Sequence, residues 1–488
     1  MNDKKEALIG IVGQKHVLDS PETLEAYAGD QSFVHHLKPW YAVQPQNVDE
    51  VQKLVAWANQ TGTPLVPVSS GLPHFRGDTV PGTPGAVMVD LSGMKKIIHI
   101  DLRNRMIIIE PGVTYTQLQP ELAKVGLMVS SSLTPRATKS VVTSLLEKEP
   151  VLIPRYQWAA LDPLRCLEIV WGDGQRMTTG EAGSLGTLEE EWAKKLAQAN
   201  PAGPAQTDFY KIASAAQGSM GIVTWASVKC ETLPQLHKLF FVPARNLESL
   251  LDLAYGILRI RFGDELLILN NWNLASILGK EPGQIRALAE QLPRWTLLVG
   301  IAGRERLPEE RVAFQQKDIS DMAQQYGLSL LPAVPGAGGP EVLEAILNPS
   351  REPYWKQTYK GACQDIFFLN TLEKAPVFVT AMYTVVEAHG YNTSEIGVYI
   401  QPVHQGASCH IEFDLPFDQT NPREVSRMQE LYTVASEELL RQGAYYSRPY
   451  GIWAPMTYNR DAQTTTVLKK IKGIFDPNNV MNPGKLCF

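Results

Sequence analysis

A loop of small residues between two short apolar runs restricts the fold of this chain more than any other feature. The runs GTPLVPV and GAVMVDL are typical of buried strands, and the segment around the loop, residues 66–81, reads VPVSSGLPHFRGDTVP. Small residues let a backbone approach a ligand closely, and converging N–H groups can bind a diphosphate. The segment is therefore either an ordinary surface loop or a diphosphate cradle.

Length and charge limit the class of protein. At 488 residues the chain is too long for one compact core, so we expect two or three domains. The net charge of −6 argues against a nucleic-acid partner, which usually requires a basic surface. No apolar run approaches the roughly 18 residues that span a bilayer. The first 30 residues lack the apolar core of a secretory signal. We therefore expect a cytoplasmic protein without a membrane span.

The cysteines argue against a metal cluster held by this chain. The sequence has five, and none belongs to a C-x-x-C pair: Cys166, Cys230, Cys363, Cys409 and Cys487. Iron–sulfur clusters and structural zinc sites require closely grouped thiolates. A one-electron carrier would therefore be a separate protein.

The order of predicted elements favours an α+β fold. A helix over NVDEVQKLVAWANQTG precedes the first strand, and KKIIHIDLRNRMIIIEPGVTY predicts two strands joined at DLRNR. CLEIVWGDGQRMTTG predicts a hairpin, and longer helices follow residue 234. The segment PAVPGAGGPE, residues 332–341, indicates a flexible connection. The motif G-x-G-x-x-G is absent, which disfavours a Rossmann fold.

Four blocks, in family order, resemble the FAD-binding domain of the vanillyl-alcohol oxidase and p-cresol methylhydroxylase (PCMH) flavoproteins. They are PGAVMVDLSGMKKIIHIDLRNRMIIIEPGVTYTQLQPEL, LEIVWGDGQRMTTG, QGSMGIVTWASVKCETLP and FDPNNVMNPGK. The resemblance implies a PCMH-type FAD-binding domain of two subdomains, with a cap of antiparallel sheet and helices over the flavin ring. We expect an N-terminal helical segment over 1–37, the FAD-binding domain over 38–234, the cap over 235–440 and a returning segment over 441–488.

The resemblance also implies which residues bind FAD. The small-residue loop would hold the diphosphate, the segments around residues 134–143 and 218–223 would line the cofactor, and the end of the chain would approach the flavin. The predicted contacts are Ser69, Ser70, Gly71, His74, Arg76, Gly77, Thr134, Thr143, Gly218, Gly221, Ile222, Val223, Asn482 and Lys485. Some related enzymes attach the flavin covalently to a histidine of this loop. His74 is therefore either the attachment point or a hydrogen-bonding loop residue.

The segment YYSRPYG resembles the part of the 4-alkylphenol branch that binds the phenolate oxygen. By that resemblance Arg448 would stabilise the phenolate, with Tyr446 or Tyr450 sharing the hydrogen bonds. Alternatively, Arg448 pairs with a cap carboxylate and the tyrosines belong to the core. Asp162 is the carboxylate available near the branch's acid–base position.

A second branch of the family, the 2-hydroxy-acid dehydrogenases, holds a divalent metal with two histidines and a glutamate. His404 and His410 lie six residues apart, and His404 is a further catalytic candidate. At the position of the glutamate this chain has the segment SRPY instead. We therefore expect no metal site.

Together these features predict an FAD-dependent oxidoreductase that passes a substrate hydride to flavin N5. A phenolic or benzylic substrate is the first interpretation, and a 2-hydroxy acid such as glycolate or D-lactate is the second. A third is a flavin-domain paralogue that serves as a subunit of a larger redox complex. We expect a dehydrogenase rather than an oxidase, with a cytochrome or electron-transfer flavoprotein as acceptor, in a homo- or hetero-oligomer.

Overall fold

A computed structural model describes residues 2–155, 162–183, 187–195, 201, 203 and 208–488. The amino-terminal elements are, in chain order, α1 (Asn2–Val12), β1 (Val17–Leu18), α2 (Pro21–Ala28), β2 (Tyr41–Val43), α3 (Val48–Thr61), β3 (Leu65–Val68) and β4 (Val87–Asp90). Their strands form a sheet in the order β1-β2-β4-β3, in which β4 is parallel to both β2 and β3. The small-residue loop connects β3 to β4, as the apolar runs predicted.

Helix α3 shows how the local sequence fixes these elements. The Asn47 side chain accepts a hydrogen bond from the Glu50 amide and caps its first turn. Gly62, with φ of +60°, ends it in the left-handed conformation. Between these ends, Val51 and Leu54 belong to the stripe that is buried against the first sheet.

The middle of the chain forms a second, antiparallel sheet. Its elements are β5 (Ile97–Asp101), β6 (Met106–Ile109), α4 (Tyr115–Ala123), β7 (Leu127–Met128), α5 (Val141–Leu146), β8 (Leu164–Trp171), β9 (Arg176–Thr178), α6 (Leu188–Ala193), α7 (Tyr210–Ala213), β10 (Gly221–Lys229) and β11 (Glu231–Thr232). The strand order is β5-β6-β10-β8-β9, and β7 pairs separately with β11. Helices α4 and α5 pack their apolar sides on this sheet.

The third part contains a six-stranded antiparallel sheet. Its elements are β12 (Leu236–Ala244), α8 (Glu248–Ile260), β13 (Leu266–Asn270), α9 (Asn271–Leu278), α10 (Pro282–Gln291), β14 (Trp295–Gly303), α11 (Pro308–Gln325), β15 (Ala333–Val334), β16 (Ala337–Gly338), α12 (Gly339–Leu347), β17 (Gly361–Asn370), α13 (Ala375–Ala388), β18 (Gly397–Val403), β19 (Ser408–Asp418) and α14 (Pro422–Arg441). The strand order is β12-β14-β13-β18-β19-β17. The largest apolar core lies between this sheet and α8, α11, α13 and α14.

The predicted flexible connection over 332–341 is instead ordered structure. Val334 and Ala337 pair as β15 and β16, with Gly336 at φ of +81° in the turn between them. The chain then enters α12 directly. Gly336, one of the glycines that suggested flexibility, supplies the positive φ that the tight turn requires.

After α14 the chain returns to the first sheet through α15 (Trp453–Tyr458) and α16 (Ala462–Phe475). The Leu65 amide donates to the Val480 carbonyl at 2.7 Å, and the Asn482 amide donates to the Leu65 carbonyl at 2.8 Å. The carboxyl-terminal segment therefore lies beside β3, next to the small-residue loop. Among the helices of the described residues, none combines the length and apolarity needed to cross a bilayer.

Candidate functional site

A cavity of about 390 Å³ extends from the small-residue loop to the six-stranded sheet. Its walls come from the loop after β3, the segment before and within α5, the start of β10, strands β17 and β19, and residues 448–453. Of the predicted site residues, those that line it are Ser69, Ser70, His74, Arg76, Thr143, Gly218, Gly221, Ile222, Val223, Arg448 and Tyr450. The fold thus brings together residues that are almost 400 positions apart.

Hydrogen bonds hold the small-residue loop against the start of α5. The Ser69 and Thr143 hydroxyls contact one another, and the Ser140 amide donates to the Ser70 hydroxyl at 3.1 Å. The Gly71 amide donates to the Thr138 carbonyl at 3.0 Å, so this glycine supports the loop without lining the cavity.

His74 is buried within the same loop. Its Nε2 lies 3.0 Å from the Ser70 carbonyl, which can only accept, so Nε2 carries the proton. Burial lowers the pKa of His74, which keeps the ring neutral. These contacts give the ring a structural partner inside its own loop.

The glycines at the start of β10 also line the cavity. Gly218 has φ of +67°, and a Cβ there would lie 2.5 Å from the Pro67 ring. At Gly221 a Cβ would lie 2.5 Å from the Val170 carbonyl oxygen. Glycine is therefore required at both positions because the backbone packs closely against β3 and β8 beside the cavity.

Besides Gly71, four other predicted cofactor residues do not line the cavity. Lys485 donates to the Gly77 carbonyl at 2.7 Å, and the Asn482 amide group donates to Asp78 and Gln217 carbonyls at 2.9 and 2.7 Å. Gly77 itself donates to an Asp30 carboxylate oxygen at 2.6 Å. These residues fix the loop from outside the cavity.

Thr134, the fourth, contacts the cap. Its hydroxyl donates to the Ala345 carbonyl in α12 at 3.1 Å, while its neighbours Leu133 and Pro135 line the cavity. Thr134 itself does not line the cavity, so its predicted contact with the cofactor stays a prediction.

At the end of the cavity beside the six-stranded sheet, which we call the cap end, two arginines lie against one phenylalanine. The guanidinium carbons of Arg448 and Arg76 lie 4.0 and 4.5 Å from the centroid of the Phe367 ring. Arg76 forms an ion pair with Asp365 at 3.0 Å. Arg448 is 3% exposed and, within the described residues, has no carboxylate partner at ion-pair distance. Tyr450, also buried, lines the same end of the cavity.

Lys356 lies at the centre of a buried charge network beside this end. Its ammonium group contacts Asp365 at 3.0 Å, Glu412 at 2.5 Å and Asp414 at 2.6 Å. His410 contacts the second Glu412 oxygen at 2.9 Å. Burial and the neighbouring carboxylates Glu412 and Asp365 raise the pKa of Asp414 well above its ordinary value and outweigh the opposing effect of Lys356.

A second buried ion group lines the middle of the cavity. Lys139 contacts Glu147 at 2.7 Å and Glu149 at 3.0 Å. Burial opposes ionisation of Glu149, but Lys139 and Arg448 outweigh it and hold its pKa at about 2. Burial raises the pKa of Glu147. Lys139 and Glu149 therefore compensate one another.

Three predicted catalytic residues lie outside this cavity. The Tyr446 hydroxyl donates to the Ser436 carbonyl at 2.7 Å, and its ring stacks on Trp453 with centroids 4.7 Å apart. It belongs to the core, which corrects its predicted contact with substrate. Asp162 pairs with Lys148 and lines a separate small pocket, and His404 lies in the turn between β18 and β19. Neither lines the main cavity, where the expected roles would require them.

The sequence reasoning missed the Lys356 network, although a signal for it exists. Asp365 and Phe367 alternate in β17, and His410, Glu412 and Asp414 alternate in β19, so each set shares one face of a strand. The register places Asp365 opposite Asp414. Charged residues at every second position of a buried strand would have identified this wall. The lysine comes from a loop and carries no such pattern.

The residues of the cavity fit FAD. The glycine-lined wall and the small-residue loop leave room for a backbone-bound diphosphate. The Thr79 hydroxyl, on the same loop, lines the cavity and is buried without a hydrogen-bond partner among the described residues. An unsatisfied hydroxyl beside the loop is suited to accept or donate a hydrogen bond to a bound cofactor.

Comparisons with known proteins point to the same cofactor. The FAD binding domain family matches residues 39–142, and the family of C-terminal domains of FAD linked oxidases matches residues 372–486. Glycolate oxidase subunit GlcD of Bacillus subtilis is 21% identical over 494 residues, covering 99% of this chain and 96% of that protein.

Two further similarities concern enzymes named for cresol. The 4-cresol dehydrogenase [hydroxylating] flavoprotein subunit of Pseudomonas putida is 22% identical, covering 97% of this chain and 93% of that protein. The crystal structure of p-cresol methylhydroxylase with substrate bound superimposes with a TM-score of 0.82 at 20% identity, covering 100% of this chain and 96% of that one. The fold is therefore the PCMH-type α+β fold, and FAD is its cofactor.

Proposed function

Because the chain is an FAD-linked oxidoreductase of the PCMH and glycolate oxidase family, we propose that it is a dehydrogenase of a phenolic substrate. FAD, when bound, supplies a hydride acceptor at N5. The residues of this chain bind the substrate, stabilise its negative charge and exclude water from the reacting carbon.

The observation that carries the proposal is the buried guanidinium of Arg448. A buried cation without an anionic partner is costly, and a phenolate oxygen would supply the missing charge. Stabilising the phenolate weakens the benzylic C–H bond toward hydride loss. The rings of Tyr354, Tyr450 and Trp453 line this end of the cavity and suit an aromatic substrate.

Tyr450 assists as a hydrogen-bond donor. Burial, reinforced by the negative charges of Glu147 and Asp78, raises the pKa of Tyr450 well above its ordinary value, and this outweighs the opposing effect of Arg448. The hydroxyl therefore stays protonated across the physiological pH range. A protonated phenol beside Arg448 donates to an anionic oxygen and does not compete with it for charge.

A second candidate, oxidation of a 2-hydroxy acid, is favoured by the same guanidinium group. The planar fork of Arg448 can bind both oxygens of a carboxylate. The relatives named glycolate oxidase subunit and D-2-hydroxyglutarate dehydrogenase act on such acids by their names. The phenolic substrate remains the first candidate, since the walls of this end are aromatic.

We test these candidates by mixing the holoprotein anaerobically with substrate and recording the visible flavin absorbance. We expect p-cresol and 4-ethylphenol to bleach the flavin, and glycolate and D-lactate to leave it oxidised. Bleaching only by the hydroxy acids would reject the phenolic substrate and support the second candidate. A purified protein without flavin absorbance would instead support a non-catalytic subunit of a redox complex.

The electron acceptor is proposed to be a separate protein. The relative from Pseudomonas putida is named as a flavoprotein subunit, and a D-lactate dehydrogenase of Arabidopsis thaliana is named for cytochrome. We expect the bleached protein to be reoxidised by cytochrome c faster than by dissolved oxygen. Faster reoxidation by oxygen would identify an oxidase.

A further inference from the structure

We propose that Asp365 selects the charge of the substrate. By neutralising Arg76, it leaves a single guanidinium, that of Arg448, to bind one negative charge. The proposal rests on the proposed function in one respect: the substrate must bind at the Phe367 end of the cavity. It makes Asp365 a specificity-determining residue for monoanions.

Asp365 is shared between two cations. Its Oδ2 lies 3.0 Å from Nη1 of Arg76 and 3.0 Å from Nζ of Lys356. Lys356 is in turn bound by Glu412 at 2.5 Å and Asp414 at 2.6 Å. Glu412 and Asp414 thus supply Lys356 with two carboxylates besides Asp365, so Asp365 is not its sole partner and also serves as the counter-charge of Arg76.

Arg448 has no equivalent counter-charge. Both guanidinium carbons contact the Phe367 ring, so they lie within about 8.5 Å of each other, and both line the cavity. The nearby carboxylate of Glu149 is bound by Lys139 at 3.0 Å and by the Ser144 hydroxyl at 2.6 Å. Within the described residues this end of the cavity thus presents one compensated and one uncompensated arginine.

The consequence is a preference between ligands of equal shape and different charge. One negative charge on the ligand pairs with Arg448, and this interaction offsets the free energy that is needed to remove the charge from water. A second negative charge on the same ligand group cannot pair with Arg76, because Asp365 already neutralises that arginine. The second charge would also be buried beside the carboxylates of Asp365 and Glu412. Removing the charge of Asp365 would release Arg76 for that second charge.

We test this with two aromatic anions, benzoate and phenylphosphonate, titrated into the holoprotein by calorimetry at about pH 8, where the phosphonate carries two charges. In the wild type we expect benzoate to bind at least about tenfold more tightly. In Asp365→Asn we expect the affinity for phenylphosphonate to rise about tenfold or more, with benzoate changed less than about threefold, a tenfold change being 1.4 kcal/mol. Asp365→Glu should keep the preference of the wild type. Asp321→Asn, an exposed carboxylate of α11 paired with Lys317, is the matched control.

An unchanged ratio of the two affinities in Asp365→Asn would overturn the proposal. If that variant does not fold, the wild type alone decides. Between about pH 5.5 and pH 8 phenylphosphonate gains its second charge, and its affinity relative to benzoate must fall. A rise would overturn the proposal. Because both readouts measure binding and not turnover, failure of phenols to reduce the flavin would reject the proposed function and leave this test unaffected.

Discussion

Within the described residues, one guanidinium group at the Phe367 end of the cavity has no carboxylate at ion-pair distance. Arg448 is buried against Phe367, whereas the other cations of this end, Arg76 and Lys356, have carboxylate partners. The resemblance in the sequence pointed to Arg448, but its alternative was an ion pair with a cap carboxylate. Within the described residues no carboxylate lies at ion-pair distance from Arg448, and Asp365 of the cap pairs with Arg76.

Replacing Arg448 by glutamine should slow the reaction more than it weakens cofactor binding. The variant removes the charge that stabilises the phenolate, so we expect the rate of flavin reduction to fall about 100-fold or more. The FAD content should stay the same, since the residue contacts the cap. Arg441→Gln, an exposed arginine at the end of α14, is the matched control. Equal rates in wild type and Arg448→Gln would contradict the assigned role.

His74 gives a second prediction at this scale. Its Nε2 proton is used by the Ser70 carbonyl, and burial keeps the ring neutral. We propose that the residue supports the loop and is not attached to the flavin. Acid precipitation should then release all of the FAD into the supernatant. Yellow colour retained in the pellet, and lost in His74→Gln, would show a covalent bond.

Pairing between strands determines which side chains meet in the cap. β17 and β19 are antiparallel neighbours, and their register brings Asp365 opposite Asp414. The same sheet holds His237 of β12 against Glu265, at the start of β13, with 2.8 Å between Nε2 and Oε2. This second pair connects β12 to the start of β13, on the two sides of β14. Because it contains a histidine, its contribution to stability depends on pH.

The His237 pair should stabilise the fold at low pH. Burial acts to lower the pKa of His237, but Glu265 outweighs it and raises the pKa above the ordinary value of 6.5. A raised folded-state pKa gives stability that is present below pH 6.5 and is lost as the pH rises through the raised value. His237→Gln should therefore lower the free energy of unfolding by about 1 kcal/mol at pH 6, with the difference shrinking toward pH 9. Urea unfolding followed by tryptophan fluorescence measures it. A difference that grows with pH would reject the ion pair.

The carboxyl-terminal segment connects parts of the fold that are far apart in the sequence. Asn482 lies over 400 residues from Asp78, yet its side chain donates to that residue's carbonyl and to the carbonyl of Gln217. It therefore joins the small-residue loop to the start of β10, which are the two walls expected to enclose FAD. Lys485 adds a contact to Gly77.

Removing this connection should weaken cofactor binding without touching the cofactor. Asn482→Ala loses both hydrogen bonds and leaves two buried carbonyls unpaired, so we expect the dissociation constant of FAD to rise about tenfold. FAD fluorescence on dilution of the holoprotein measures the release. Asn478→Ala, which removes an exposed contact with Asn59 in the same segment, should bind FAD like the wild type. Equal FAD affinity in both variants would exclude a role for the segment in holding the loop.

The sequence by itself determined the strands, the helices with caps such as Asn47, and the small-residue loop between β3 and β4. Each of these follows from side-chain period, turn chemistry and capping over a few neighbouring residues, so local physics is sufficient. The family resemblance also predicted Arg448 and Gly218 as site residues, and both line the cavity.

Which side chains contact one another was decided only by the tertiary structure. Tyr446 and Tyr450 are equivalent in the sequence, but one packs on Trp453 and the other lines the cavity. Lys356, Asp365 and Glu412 come from a loop and two strands, and their meeting depends on strand register and on where the loop closes over the sheet. Whether a charge such as that of Arg448 remains unpaired depends on all of these distant groups together. No local pattern in the sequence specifies which of them meet.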